Sequence, residues 1–177
     1  MRHGGNVWEG QPADWLDFSA NLRPEGTPAW VMDTMRAALS QACYYPDRAM
    51  RAARAGLALY LGVDENCVLP TAGGAAAIDL TLGVRRGAVH VQPPTFGEYA
   101  ERAKAHGRRV AANQAIQADD TVVICNPNNP TGTLLSPNDV LRMHRDVRNS
   151  GGELIVDEAF IDYCPDTTIR HHVQDGL

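Results

Sequence analysis

Three short segments of the sequence combine residue types at spacings that ordinary turns do not need. Thr71-Ala72-Gly73-Gly74-Ala75-Ala76-Ala77 has nothing bulkier than a methyl group after its first residue. Glycine lets a backbone approach an anion closely, and a helix beginning here would offer free N–H groups and a favourable dipole to a phosphate. A tight turn seating a helix close to a sheet is the alternative. Asn126-Pro127-Asn128-Asn129-Pro130-Thr131-Gly132 joins two prolines, which stiffen a loop, to carboxamides that both donate and accept hydrogen bonds. Such a loop is overdetermined as a mere connection. Asp157-Glu158 follows an apolar run, where desolvating a carboxylate is costly unless a cation or donor pairs with it. A helix cap or a structural ion pair would satisfy the same requirement.

The elements that must position these segments follow from periodicity. Residues 1–27 are rich in Gly, Asn and Pro with isolated apolar islands, and read as an irregular arm. Val31, Met35, Ala38, Leu39 and Ala42 predict an amphipathic helix over 28–42 with proline in its first turn. Tyr44-Tyr45-Pro46-Asp47 breaks it, and a second helix is expected from Asp47 to about Leu61, stopped by Gly62. Beyond it, short apolar runs alternate with helical stretches. Cys67-Val68-Leu69 leads into the glycine turn and a helix through Leu82, and Ala88 to Val91 is strand-like and ends at Pro93-Pro94. A helix from Glu98 to His106 and the strand Thr121 to Cys125 follow. Ser136-Pro137-Asn138-Asp139 is a helix start, with Ser as N-cap and Pro at the first position; that helix runs to about Asn149, before the strand Glu153 to Val156. Strands apolar throughout and separated by helices imply an α/β fold with a mostly parallel sheet covered on both faces. Ligands in such sheets sit beyond the carboxyl ends of the strands, where all three segments fall.

The bulk numbers exclude several classes. The 177 residues carry 21 acidic and 16 basic side chains, a formal charge of −5, and are 44% apolar. This is the composition of a folded soluble chain. Scattered arginines on a net negative chain argue against a nucleic-acid surface. No apolar run approaches the ~20 residues of a membrane span, and Met1 opens no signal pattern, so a cytoplasmic protein is expected. Cys43, Cys67, Cys125 and Cys164 show neither CxxC pairing nor zinc-ligand spacing; they read as reduced core or near-core thiols, and no metal site is expected. All the basic residues are arginine except Lys104.

In order, the glycine turn, Pro93-Pro94-Thr95-Phe96, NPNNPTG at Asn126 to Gly132 and DEAF at Asp157 to Phe160 resemble the large domain of the pyridoxal-phosphate enzymes of the aspartate aminotransferase fold, class I/II. The nearest branch is that of threonine-phosphate decarboxylases and histidinol-phosphate aminotransferases. The resemblance implies a three-layer α/β/α large domain over 28–177, incomplete at its C-terminus, preceded by the arm and lacking a small domain. It implies pyridoxal 5'-phosphate as cofactor, with the phosphate held at Gly73, Gly74 and Ala75. Phe96 would stack on the pyridine ring, or else be a core aromatic. Asn129 would donate to the ring phenolate oxygen, and Asp157 would accept from the pyridinium N–H. Tyr45 would reach the cofactor phosphate of a neighbouring subunit in a homodimer; a buried tyrosine in a turn is the other reading.

His3-Gly4-Gly5-Asn6 and Asp17-Phe18-Ser19-Ala20-Asn21 resemble the opening of threonine-phosphate decarboxylases. That resemblance implies that His3, Gly4, Gly5 and Asn6 bind the substrate phosphate and that Asn21 lies by the substrate carboxylate. The reaction implied is decarboxylation of L-threonine O-3-phosphate to (R)-1-aminopropan-2-yl phosphate in cobalamin biosynthesis, with a small phosphorylated amino acid as partner molecule. Histidinol-phosphate transamination is the alternative within enzymes, and a non-catalytic fragment or partner-binding remnant the alternative outside them. Phe160 stands where many relatives have a tyrosine, and Ala76 replaces a common acidic residue. The Schiff-base lysine of the superfamily would lie beyond Leu177, and Lys104 reads as part of a solvated helix face. The chain alone is therefore expected to be inactive, with no catalytic residue of its own.

Overall fold

A computed structural model describes residues 4–8, 10 and 14–175. His3 lies outside the described residues, as do Gly176 and Leu177. The chain forms two compact units, residues 1–49 and 50–177.

In the first unit, α1 spans Ala29–Ala38 and continues as a 3-10 turn over Leu39–Gln41. Pro28, expected inside the first turn, precedes the helix as its N-cap, its ψ of 143 being extended rather than helical. No described residue of this unit is buried, and Trp30, Met35 and Leu39 are exposed. Tyr45 is 101% exposed, which removes its reading as a buried turn residue.

In the second unit, α2 spans Arg51–Leu61, four residues short of the expected start. Met50 is left-handed (φ 48), a conformation that a continuing right-handed helix excludes. The C-terminal end is as expected: Gly62 takes φ 70 and donates its N–H to Ala58 O. The strand expected at Cys67 to Leu69 is absent. Asp64 instead caps a 3-10 turn over Glu65–Cys67, and Arg54 donates through Nε and Nη2 to Glu65 O, tying the segment to α2. Cys43 and Cys67 are exposed and only Cys125 is buried, so the four thiols, all free, are not uniformly core residues.

The sheet carries the rest. Its strands, β1 (Val89–His90), β2 (Val110–Ala111), β3 (Thr121–Cys125) and β4 (Glu153–Asp157), run in the order β2-β1-β3-β4, every pair parallel. Helix α3 (Gly74–Leu82) leads into β1, and α4 (Glu98–Ala105) and α5 (Pro137–Asn149) supply the crossovers from β1 to β2 and from β3 to β4. Along β3, alternate residues Thr121, Val123 and Cys125 are buried. Val123 and Cys125 join Val89, Val91, Ile78, Leu82, Tyr99 and Ala103 in one core beneath α3 and α4. The side chain of Ile124 points to the other face by the period of two, where Met143 of α5 lines the same cavity. Ser136 caps α5 by accepting from Asp139 N, with Pro137 at the first position, as its sequence requires.

A buried polar network fixes the amino ends of β1 and β3. Asp120 accepts from Ala88 N (2.6 Å) and Gln117 N (2.9 Å), and its Oδ2 lies 2.8 Å from His90 Nε2. Arg108 donates to Gly87 O, Leu82 O, Ala88 O and Thr121 Oγ1. Because Leu82 ends α3, this guanidinium holds the helix's C-terminus at the strands' amino ends. Eight residues earlier, about 12 Å along the axis, α3 begins toward the carboxyl ends.

Candidate functional site

Asp157 is the last residue of β4 and lies in register with Cys125, the last of β3. Its carboxylate is half-buried and held by two donors: Ala159 N to Oδ1 at 2.9 Å and the Tyr99 hydroxyl to Oδ2 at 2.7 Å. A carboxylate has about four acceptor positions, so capacity remains for a third donor. Tyr99 is fully buried, and burial, then its hydrogen bond to Asp157, pushes its hydroxyl far above the usual tyrosine range. It is a permanent neutral donor. Phe96, three residues earlier in the loop before α4, packs edge-on against Tyr99 with ring centroids 5.6 Å apart. Half-buried against the core, Phe96 keeps part of its surface outside it. The neighbouring Glu158 is a structural clamp, accepting from Thr168 Oγ1 and Ile169 N.

The asparagine loop sorts its three carboxamides by role. Asn126, fully buried, accepts from Leu135 N (2.8 Å) and donates to Leu135 O (3.3 Å), closing the loop base. Asn128 donates to Pro94 O and Thr131 Oγ1 and accepts from Thr95 Oγ1, binding this loop to the one after β1. Asn129 makes no side-chain hydrogen bond among the described residues and is half-exposed. Of the three carboxamides it alone is uncommitted among the described residues.

At the head of α3, Gly73 takes φ 83, which favours glycine, and its N–H donates to Thr71 O. The N–H groups of Gly74 and Ala75 have no backbone partner among the described residues, as expected for a helix's first turn. A Cβ at Gly74 would meet nothing within 4 Å. Packing within the chain therefore does not require glycine there, and the open space above free amides fits a phosphate. With the acceptor capacity of Asp157 and the uncommitted Asn129, the donor set fits a phosphorylated pyridine cofactor. Lys104, exposed on α4 and five residues beyond Tyr99, points about 140° away around the helix.

In the first unit, Ser19 joins the two amino-terminal motifs. Its hydroxyl accepts from Gly5 N at 2.8 Å and donates to Asp17 Oδ1 at 2.5 Å. A Cβ on Gly4 would lie 1.8 Å from Ser19 O, and Gly5 has φ 78, so both glycines answer to this fit. Asn6 and Asn21 are exposed beside it in sequence. Tyr45 belongs to this unit, whereas Phe96, Asn129, Asp157 and the head of α3 belong to the other.

Residues 13–177 match the family described as aminotransferase class I and II. The chain belongs to that family. Among curated relatives, the threonine-phosphate decarboxylase of Sinorhizobium sp is 35% identical over 96% of this chain and 54% of its own length. The histidinol-phosphate aminotransferase of Desulfitobacterium hafniense (strain DSM 10664 / DCB-2) is 28% identical over 88% and 52%. The chain thus spans about half the length of the curated relatives it matches. The crystal structure of histidinol-phosphate aminotransferase from Sinorhizobium meliloti, in complex with pyridoxal-5'-phosphate, superposes with a TM-score of 0.72 over 84% of this chain and 45% of that one, at 18% identity. Pyridoxal phosphate is the cofactor of this aminotransferase family.

Sequence reasoning overlooked Tyr99 and the part played by Ser19. Tyr99 carried no signal of its own, since Phe96 precedes α4 and Asp157 lies 58 residues on. For Ser19 the signal is Asp-x-Ser, a local pattern in which the carboxylate caps the amide two residues on, here Ser19 N to Asp17 Oδ1 at 2.7 Å.

Proposed function

We propose that this chain carries the cofactor-holding half of a pyridoxal-phosphate enzyme that decarboxylates L-threonine O-3-phosphate to (R)-1-aminopropan-2-yl phosphate, a step of cobalamin biosynthesis. The observation that carries it is Asp157, held by two donors at the end of β4 with acceptor capacity remaining. Bound pyridoxal phosphate supplies an electron sink for the bond broken at the substrate's α-carbon. Asp157 accepts from the pyridinium N–H and keeps it protonated. Phe96 stacks on the ring, Asn129 donates to the phenolate oxygen, and the amides of Gly74 and Ala75, with the turn at Gly73, receive the phosphate.

The arm over 1–27 carries substrate recognition, and 28–177 is the large-domain segment. Gly4, Gly5, Asn6 and His3 receive the substrate phosphate, and Asn21 faces its carboxylate. The decarboxylase relative's 35% identity over nearly the whole chain favours this substrate. Histidinol-phosphate transamination is the second reading, favoured by the 28% identical aminotransferase. Tyr45, fully exposed, serves the cofactor phosphate of a second subunit in a cytoplasmic homodimer. No helix among the described residues is long and apolar enough to cross a membrane. With its one lysine turned away on α4, the 177-residue chain binds the cofactor without turning substrate over.

Titration of the purified chain with pyridoxal phosphate, followed by absorbance and calorimetry, tests the cofactor site: saturable binding weakened by D157N and N129A is expected, and failure to bind overturns it. Calorimetry with L-threonine O-3-phosphate and with histidinol phosphate then separates the two substrate readings, the tighter ligand naming the branch.

A further inference from the structure

Tyr99 is a fully buried side chain that touches both Phe96 and Asp157. Its ring edge meets Phe96 at a centroid distance of 5.6 Å, and its hydroxyl reaches Asp157 Oδ2 at 2.7 Å. The geometry points to Tyr99 as a positioning residue for the cofactor ring, acting through the carboxylate that meets the ring nitrogen and the aromatic face that covers the ring. This rests on the cofactor reading of Asp157 and Phe96 and adds a residue to it.

First, a carboxylate at a strand end can rotate about its χ angles, and one donor on each oxygen removes that freedom: Ala159 N fixes Oδ1 and Tyr99 fixes Oδ2. A carboxylate already aimed loses less entropy when the ring nitrogen arrives. Second, the 2.7 Å hydroxyl–carboxylate contact is a short hydrogen bond, which fixes the position of Oδ2 more firmly than a neutral pairing would. Burial and the hydrogen bond to Asp157 raise the Tyr99 hydroxyl above the usual tyrosine range, so near neutral pH it donates with its own proton in place. Third, Tyr99 is anchored independently of any ligand, because its ring belongs to the core beneath α3 and α4 with Ile78, Leu82, Val123 and Cys125. The aim of Asp157 is therefore set by the core.

The decisive comparison uses two ligands, pyridoxal phosphate and its deaza analogue, in which a C–H replaces the ring nitrogen. Both offer the same phosphate and nearly the same ring face, but only the first can donate to Asp157. Removing one hydroxyl with Y99F, in the 177-residue chain, is expected to weaken pyridoxal phosphate about tenfold, the scale of a charge-assisted hydrogen bond, and to leave the analogue within about twofold. In a D157N background, Y99F is expected to change neither affinity. Equal weakening of both ligands overturns the inference, since it marks a structural loss; so does an unchanged affinity for both. An unfolded Y99F by circular dichroism also overturns it, because the hydroxyl would then be holding the fold. If the unmodified chain binds neither ligand, the cofactor reading itself fails and this inference with it; if it binds both and Y99F does not discriminate them, only the role of Tyr99 fails.

Discussion

Thr95 Oγ1 donates to Asn128 Oδ1 at 2.7 Å, and Asn128 Nδ2 donates back to Pro94 O at 3.0 Å. Two loops that leave different strands, β1 and β3, are thereby one body. Phe96 follows the first loop directly, and Asn129 lies in the second, so their separation is set by this pairing.

N128A should therefore cost about 1–3 kcal/mol, because it leaves donors and acceptors of two loops unpaired. N129A should stay within about 0.5 kcal/mol, since its side chain has no partner among the described residues. Urea unfolding of the two variants gives the comparison. Equal midpoints would refute the division of labour between the two asparagines.

The head of α3 separates fold from ligand in the same way. G74V places a branched side chain where a Cβ meets nothing within 4 Å, so its stability cost should be below about 1.5 kcal/mol. Pyridoxal phosphate affinity should fall at least about tenfold, because the side chain occupies the space above the Gly74 and Ala75 amides. Thermal unfolding and ligand titration on the same sample read both quantities. Undiminished affinity would place the phosphate elsewhere.

Acid sensitivity should trace to Asp120. Burial raises its carboxyl, but donors from Gln117 N, His90 and Ala88 N outweigh this and hold it below the usual carboxylate range. A folded pKa below the unfolded one contributes stability that is present above about pH 4 and is lost as pH falls through the folded value. D120N should flatten that acid limb while lowering stability at neutral pH by about 1–3 kcal/mol through imperfect pairing of the donors. Urea midpoints at pH 6 and pH 3 for the two proteins suffice, and parallel pH curves would show that Asp120 is not the group responsible.

The staple in the arm predicts a local effect. S19A removes the acceptor of Gly5 N and should shift that amide's NMR resonance and speed its hydrogen exchange, with a stability cost below about 1 kcal/mol at this exposed site. G4A should disturb the same amide more strongly, because its Cβ would overlap Ser19 O. An unmoved Gly5 amide in both variants would mean that the two motifs are not joined in solution.

The elements that were legible in sequence carry their own signals. Thr121 to Cys125 and Glu153 to Asp157 are bounded apolar runs, and α5 announces itself with Ser136, Pro137 and Asp139. What was misread depends on contacts distant in sequence. The stretch at Cys67 to Leu69 is held by Arg54 through Glu65 O, and α2 starts late because Met50 turns left-handed. Asp157 and Asn129 could be singled out because their motifs surround them with distinctive neighbours. Tyr99 could not, since its partner lies 58 residues on and only the folded sheet brings them together.

Arg108 and Asp120 secure β1 and β3 where the strands begin, Asp157 closes β4 at its carboxyl end, and Asn129 follows the end of β3. The anchoring network and the proposed ligand contacts thus occupy opposite ends of the strands of one small sheet. A substitution at Asp157, Asn129 or Gly74 therefore leaves the contacts of Arg108 and Asp120 in place, so the proposed ligand contacts can be altered while those anchors hold.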